Sequence, residues 1–197
     1  MGFIKTALGP GDQQLVETLQ PLIIDTLRKA ALSIQKGGGR TESRTWFGDV
    51  SAPWMNDLAR KLQMLASMIN TKPIHVSFSP LSGRYGSEFA AALRPAGGWQ
   101  DFVGTQNSMT VAQNQNFTMK LNLKWNTAPL HRPRKQPADS KFQTLVHECT
   151  HLFLNTDDAY GVHLCEATAA RNPAHSAAMR ISLMPWPLLC GFRCRTP

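Results

Sequence analysis

The stretch LVHECTHLFLNTDDAYG, Leu145 to Gly161, carries two histidines four residues apart with a glutamate between them. On a helix, positions i and i+4 lie one above the other on the same face, so His147 and His151 can bring two imidazoles to one ion. Glu148 stands beside them. Phe142, Leu145, Val146, Leu152 and Phe153 surround the three with apolar side chains, which predicts a helix buried against a core rather than a surface helix. The chain has six histidines in 197 residues, and random order would give His-Glu-x-x-His in roughly half a per cent of such chains. Chance is therefore a poor account of the pattern.

Zinc suits this donor set. A catalytic zinc site takes three protein ligands and leaves the fourth position to water. The ion polarises a scissile carbonyl and lowers the pKa of its water, while a glutamate takes the water's proton and passes it to the leaving amine. Glu148 is placed for that role. The third ligand has to come from beyond His151, where Asp157, Asp158, His163 and Glu166 are the candidates.

The segment resembles the aspzincin metalloendopeptidases, the family of deuterolysin and the fungal peptidyl-lysine endopeptidases, in which His-Glu-x-x-His is followed by Gly-Thr-x-Asp-x-x-Tyr-Gly. Asn155 stands in place of the Gly, Thr156, Tyr160 and Gly161 match, and the stretch is one residue short. The resemblance implies an α+β, zincin-like single domain, with helices packed on a small mixed sheet and the motif on a central helix. It also implies a zinc endopeptidase acting on peptide or protein substrates, with an Asp as third ligand and the Tyr160 hydroxyl stabilising the oxyanion. The deletion leaves that Asp open: counting from Thr156 gives Asp158, and counting back from Tyr160 gives Asp157. Asp157 is preferred, because Asp and Tyr three apart on one helical turn are aimed together and the loop before them absorbs a deletion more easily.

Further matches are PADSKFQTLVHE (Pro137–Glu148), TWFG (Thr45–Gly48) and ARNPAHSA (Ala170–Ala177). They extend the likeness over residues 40–178, most firmly over 138–175, so residues 1–178 are read as the peptidase domain. Beyond Ala178 the family continues Asn-Ala-Asp, and that Asp is credited with recognising the substrate lysine. Here the chain reads MRISLMPWPLLCGFRCRTP, with no acid. Codons can be chosen that encode Ala178–Pro185 and, read one base earlier, spell Asn-Ala-Asp-Ile-Ser-Tyr-Ala. Residues 179–197 are accordingly read as a divergent, out-of-frame tail in which Trp186, Cys190 and Cys194 have no evolved role.

Three other readings compete. Glu166 as third ligand makes the site thermolysin-like, and His163 makes it resemble the SprT-type proteases, whose basic surface meets DNA. Neither accounts for Thr156 to Gly161. The disturbed tail motivates a non-enzyme reading, a degenerate pseudopeptidase that keeps the fold and serves as a binding module.

Composition sets the bounds. A chain of 21.8 kDa with 42% hydrophobic residues suits one domain with a core. The formal charge of +8 is spread along the chain, apart from HRPRK at His131–Lys135, which reads as a solvated basic loop, so no nucleic-acid partner is expected. No run of 18 apolar residues exists, and no membrane partner is expected. MGFIKTALGPGDQQ lacks the apolar core of a Sec signal peptide, which points to the cytoplasm or a non-Sec route of export. Gly2 and Thr6 fit the loose myristoylation pattern, one common by chance. Cys149, Cys165, Cys190 and Cys194 show no paired metal-knuckle spacing.

Local periodicity supplies the elements. Leu15, Leu19, Leu22, Ile23, Leu27, Ala31 and Ile34 predict a helix over 12–35, kinked or broken at Pro21 and ended by KGGGR. Leu58, Leu62, Leu65 and Ile69 predict a second, starting near Ser51 with Pro53 in its first turn. Ile74, Val76 and Phe78 predict a strand, and Phe117 to Trp125 a longer one, each with one buried face. Loops are expected over 96–116, with a short strand at 109–112, and over the turn-rich approach to the motif helix.

Overall fold

The computed structural model describes residues 2–80, 89–93, 117–130 and 140–154. Along them run β1 (Gly2–Lys5), α1 (Pro10–Gln35), α2 (Arg40–Phe47), α3 (Ala52–Thr71), β2 (Pro73–Phe78), β3 (Ala90–Leu93), β4 (Phe117–Leu121), a 3-10 turn (Leu123–Thr127) and α4 (Lys141–Leu154). The class is α+β, with helices on a small mixed sheet, as expected. The predicted strand at 109–112 and the tail lie outside the described residues.

Helix α1 ends where the glycines begin. The Gly38 amide donates to the Ser33 carbonyl and the Gly37 amide to that of Ile34, both at 2.9 Å, with Gly37 at φ 87°. This closure uses a left-handed residue, which costs glycine nothing. Pro21, however, neither breaks nor ends the helix. It lies on the exposed side, and the carbonyl it leaves without an intrahelical donor, that of Glu17, lies on the same wet side. Opposite, Val16, Leu19, Ile23, Ile24 and Leu27 are buried and hold both halves against the core. Leu22, expected to face inward, is 41% exposed.

Helix α3 starts as predicted. The Ser51 hydroxyl accepts from the Trp54 amide at 3.4 Å, and Leu58, Leu62, Leu65 and Ile69 are fully buried. The short helix α2 before it was not predicted, since its eight residues show no apolar period. Its place is set by Phe47, buried with its ring centroid 5.3 Å from that of Trp54, and by Gly48, whose φ of 72° closes the helix onto the Arg44 carbonyl. Ser43 secures the corner, accepting from Trp54 Nε1–H at 2.9 Å and donating to the Asp49 carbonyl at 2.7 Å.

The sheet order is β1-β2-β4-β3, with β1, β2 and β4 parallel and β3 antiparallel to β4. Ile74, Val76, Phe117, Met119 and Leu121 are buried in the core shared with the helices, while alternate positions such as His75, Thr118 and Lys120 are only half-buried. That is the single buried face the alternation predicted. Strand β4 stops earlier than predicted, at Leu121. The Asn122 amide donates to the Phe89 carbonyl and its Oδ1 accepts from the Leu123 amide, both at 2.8 Å, so the chain turns there. Leu123 is left 59% exposed while Trp125 folds inside.

Strand β1 was not predicted either. Gly2 pairs with Pro73 and donates to the Lys72 carbonyl at 3.2 Å. Its φ is 118°, and the Gln20 carboxamide occupies the space a Cβ would need while accepting from the Phe3 amide at 3.0 Å. Only glycine fits there. Helices α1 and α3 pack on each other and on β1, and α4 packs on α3 and β3. No helix among the described residues is long and apolar enough to cross a membrane.

Candidate metal centre

The helix that carries the motif is started by its own sequence. Ser140 Oγ accepts from the Gln143 amide at 3.2 Å, and Gln143 Oε1 accepts from the Ser140 amide at 3.2 Å and from its hydroxyl at 3.1 Å. This reciprocal cap satisfies two amides that a helix start leaves without partners. Serine followed three residues later by glutamine, just before an apolar run, is a signal the sequence reading could have used and did not. Ser140→Ala is expected to cost about 1 kcal/mol, a fall of roughly 2–4 °C in Tm, and Ser140→Gly only a few tenths of that energy. Thermal unfolding of the two variants measures the difference.

Phe142, Leu145, Cys149, Leu152 and Phe153 are buried, and the Phe153 ring lies 4.7 Å from that of Phe117 on β4. Fully burying a Leu or Phe side chain stabilises by about 1.5–3 kcal/mol, enough in sum to hold α4 firmly on the sheet and α3. The two histidines flank this buried stripe and are half-buried. Their rings are nearly perpendicular, at 86°, with centroids 4.5 Å apart, and the two Nε2 atoms approach to 3.0 Å. Thr150 Oγ1 donates to the His147 carbonyl at 2.7 Å, within the same turn. Glu148 is 5% exposed.

This geometry can be weighed against what zinc requires. Two nitrogens each about 2.0–2.1 Å from a tetrahedral ion stand roughly 3.3 Å apart. The observed 3.0 Å is close to that spacing. The distance also suits a hydrogen bond in which one Nε2–H donates to the other Nε2, an arrangement that needs opposite tautomers. The donor pair fits zinc in spacing and in chemistry. Next to Glu148, Cys149 is fully buried, and burial first, then the neighbouring Glu148 carboxylate, push its thiol well above the usual range. Cys149 belongs to the buried core cluster and not to the half-buried histidine pair.

Asp157, Asp158, Tyr160, His163 and Glu166 all lie outside the described residues, as do Cys165, Cys190 and Cys194. Among the described residues no group of three or more His, Cys, Asp or Glu side chains comes together.

No protein-family model matches the sequence, and no curated protein does. Among solved structures the chain is similar to a zinc peptidase from Grifola frondosa, with a TM-score of 0.62 and 17% identity, over 93% of this chain and 98% of that one. The two share a fold. At that identity the likeness carries the architecture alone, and the chemistry has to be argued from the residues of α4.

Proposed function

We propose that the chain is a zinc-dependent endopeptidase of the aspzincin type. One observation carries the reading: two imidazole Nε2 atoms converge to 3.0 Å, one helical turn apart, with a buried glutamate beside them. The zinc-peptidase fold and the Thr156, Tyr160 and Gly161 matches support it. His147 and His151 hold the ion, with Asp157 as third ligand and Asp158 as the alternative. Zinc, when bound, supplies a Lewis acid for the scissile carbonyl and lowers the pKa of water toward neutrality. Glu148 takes the proton of the attacking water and delivers it to the leaving amine. The Tyr160 hydroxyl donates to the developing oxyanion.

Zinc content measured together with casein cleavage tests the assignment. Zinc at one per chain with cleavage supports it. Zinc without cleavage favours the pseudopeptidase, and neither zinc nor cleavage removes both readings.

Selectivity follows from the tail. A pocket that selects lysine needs a carboxylate to pair with the ammonium, and a desolvated charge without its partner costs about 3 kcal/mol, on the order of a hundredfold in discrimination. No Asp or Glu follows Glu166. The chain is therefore expected to show little preference for lysine at the cleavage site, and a tail carrying Asn-Ala-Asp is expected to restore it. Cleavage-site profiling on a peptide library reads this directly. Strong lysine selection by the present chain would place another acid in the pocket and discard the out-of-frame reading of residues 179–197.

A further inference from the structure

Three distant segments meet at the start of α4. Asp12, in the first turn of α1, accepts at Oδ1 from Trp125 Nε1–H at 2.9 Å, a link across 113 residues. Lys141, the first residue of α4, places its Nζ 3.9 Å from the same oxygen and 5.2 Å from the Trp125 ring centroid. Its amide donates to the Pro129 carbonyl at 2.8 Å. Trp125 is fully buried, and the Asp12 and Lys141 side chains are largely shielded.

A lysine at the first position of a helix is electrostatically misplaced, because the amide dipoles leave that end positive. Its position here is explained by what faces it, a carboxylate and the face of an indole. Apolar burial along α4 is non-directional: it turns the apolar stripe inward and leaves the finer rotation and axial position of the helix to directional contacts. The polar contacts at Lys141 do fix both. His147 lies six residues further on, roughly 9 Å along the axis.

We propose that Asp12, with Trp125 and Lys141, is a positioning cluster that sets the rotation and axial position of α4, and through it the aim of His147, Glu148 and His151. The proposal rests on the peptidase reading for its catalytic consequence. Its geometric consequence, the approach of the His147 and His151 rings, stands without that reading.

The test uses the full chain, first metal-free and then with zinc. Asp12→Ala removes both contacts, Asp12→Asn keeps an acceptor for Trp125 but loses the charge facing Lys141, and Lys141→Met keeps the stem over the indole and loses the ammonium. In the metal-free chain the imidazole NMR signals of His147 and His151 are expected to shift in Asp12→Ala and to return most of the way in Asp12→Asn. With zinc, Asp12→Ala is expected to raise the zinc Kd about tenfold in chelator competition and to lower kcat about tenfold with KM unchanged, as a small misplacement of the reacting groups by a distant change does. If Asp12→Ala does not fold, Asp12→Asn and Lys141→Met give the same comparison at about threefold amplitude. A lowered Tm with unshifted imidazole signals and an unchanged zinc Kd overturns the proposal, since a purely structural cluster gives that result. A wild-type chain that neither binds zinc nor cleaves peptide overturns the peptidase reading instead, and the metal-free imidazole comparison then decides the positioning role alone.

Discussion

Glu148→Gln is expected to retain zinc at the wild-type level and to lose peptide hydrolysis by about 10²–10⁴-fold, the range that a positioned acid–base group contributes. The two amino acids have nearly the same shape, so the packing around this buried side chain and the approach of His147 to His151 are preserved. What disappears is the ability to take and return a proton, since an amide does neither at neutral pH. Parallel measurement of bound zinc and kcat on one preparation separates the two effects. Turnover near the wild-type rate would show that Glu148 is not the base. Loss of zinc along with activity would show instead that the side chain shapes the site.

The second large effect concerns the third ligand. Asp157→Ala is expected to weaken zinc binding by more than the roughly 10–100-fold that loss of an outer-shell partner costs, because the ion is then held by two histidines only. Asp158→Ala is expected to stay close to the wild type, its carboxylate acting at most as a helix cap. Equilibrium dialysis against a zinc-buffered solution ranks the pair. The reverse order would assign Asp158 as the ligand, and two equally small effects would remove the aspzincin reading altogether.

How legible each part was depends on the range of the forces involved. Leu58, Leu62, Leu65 and Ile69 announce α3 because helical burial repeats every three to four residues, and Ser51 marks its start by a contact three residues long. Trp125 was misread for the opposite reason. It continues the alternation of Phe117, Met119 and Leu121, yet Asn122 ends the ladder by capping the next turn, and the indole reaches the core by another route. Pro21 was read as a kink or a break because its local cost is plain in the sequence, whereas the burial on the opposite face of α1 that carries the helix through it belongs to the fold.

The sequence alone determined the periodic helices, the buried faces of β2 and β4, and a His-Glu-x-x-His pattern that brings two imidazoles to one side of α4, since all of these depend on neighbours within about two turns. Tertiary structure decided what pairs with what. Strand β1 is four residues whose partner begins at Pro73, and β3 is an alanine-rich stretch with little pattern of its own. The contact of Asp12 with Trp125 and Lys141 likewise exists only once α1, the turn after β4 and α4 are packed. Such contacts are selected by the burial of the whole core rather than by any local preference, so a short segment carries no mark of the partner it will meet.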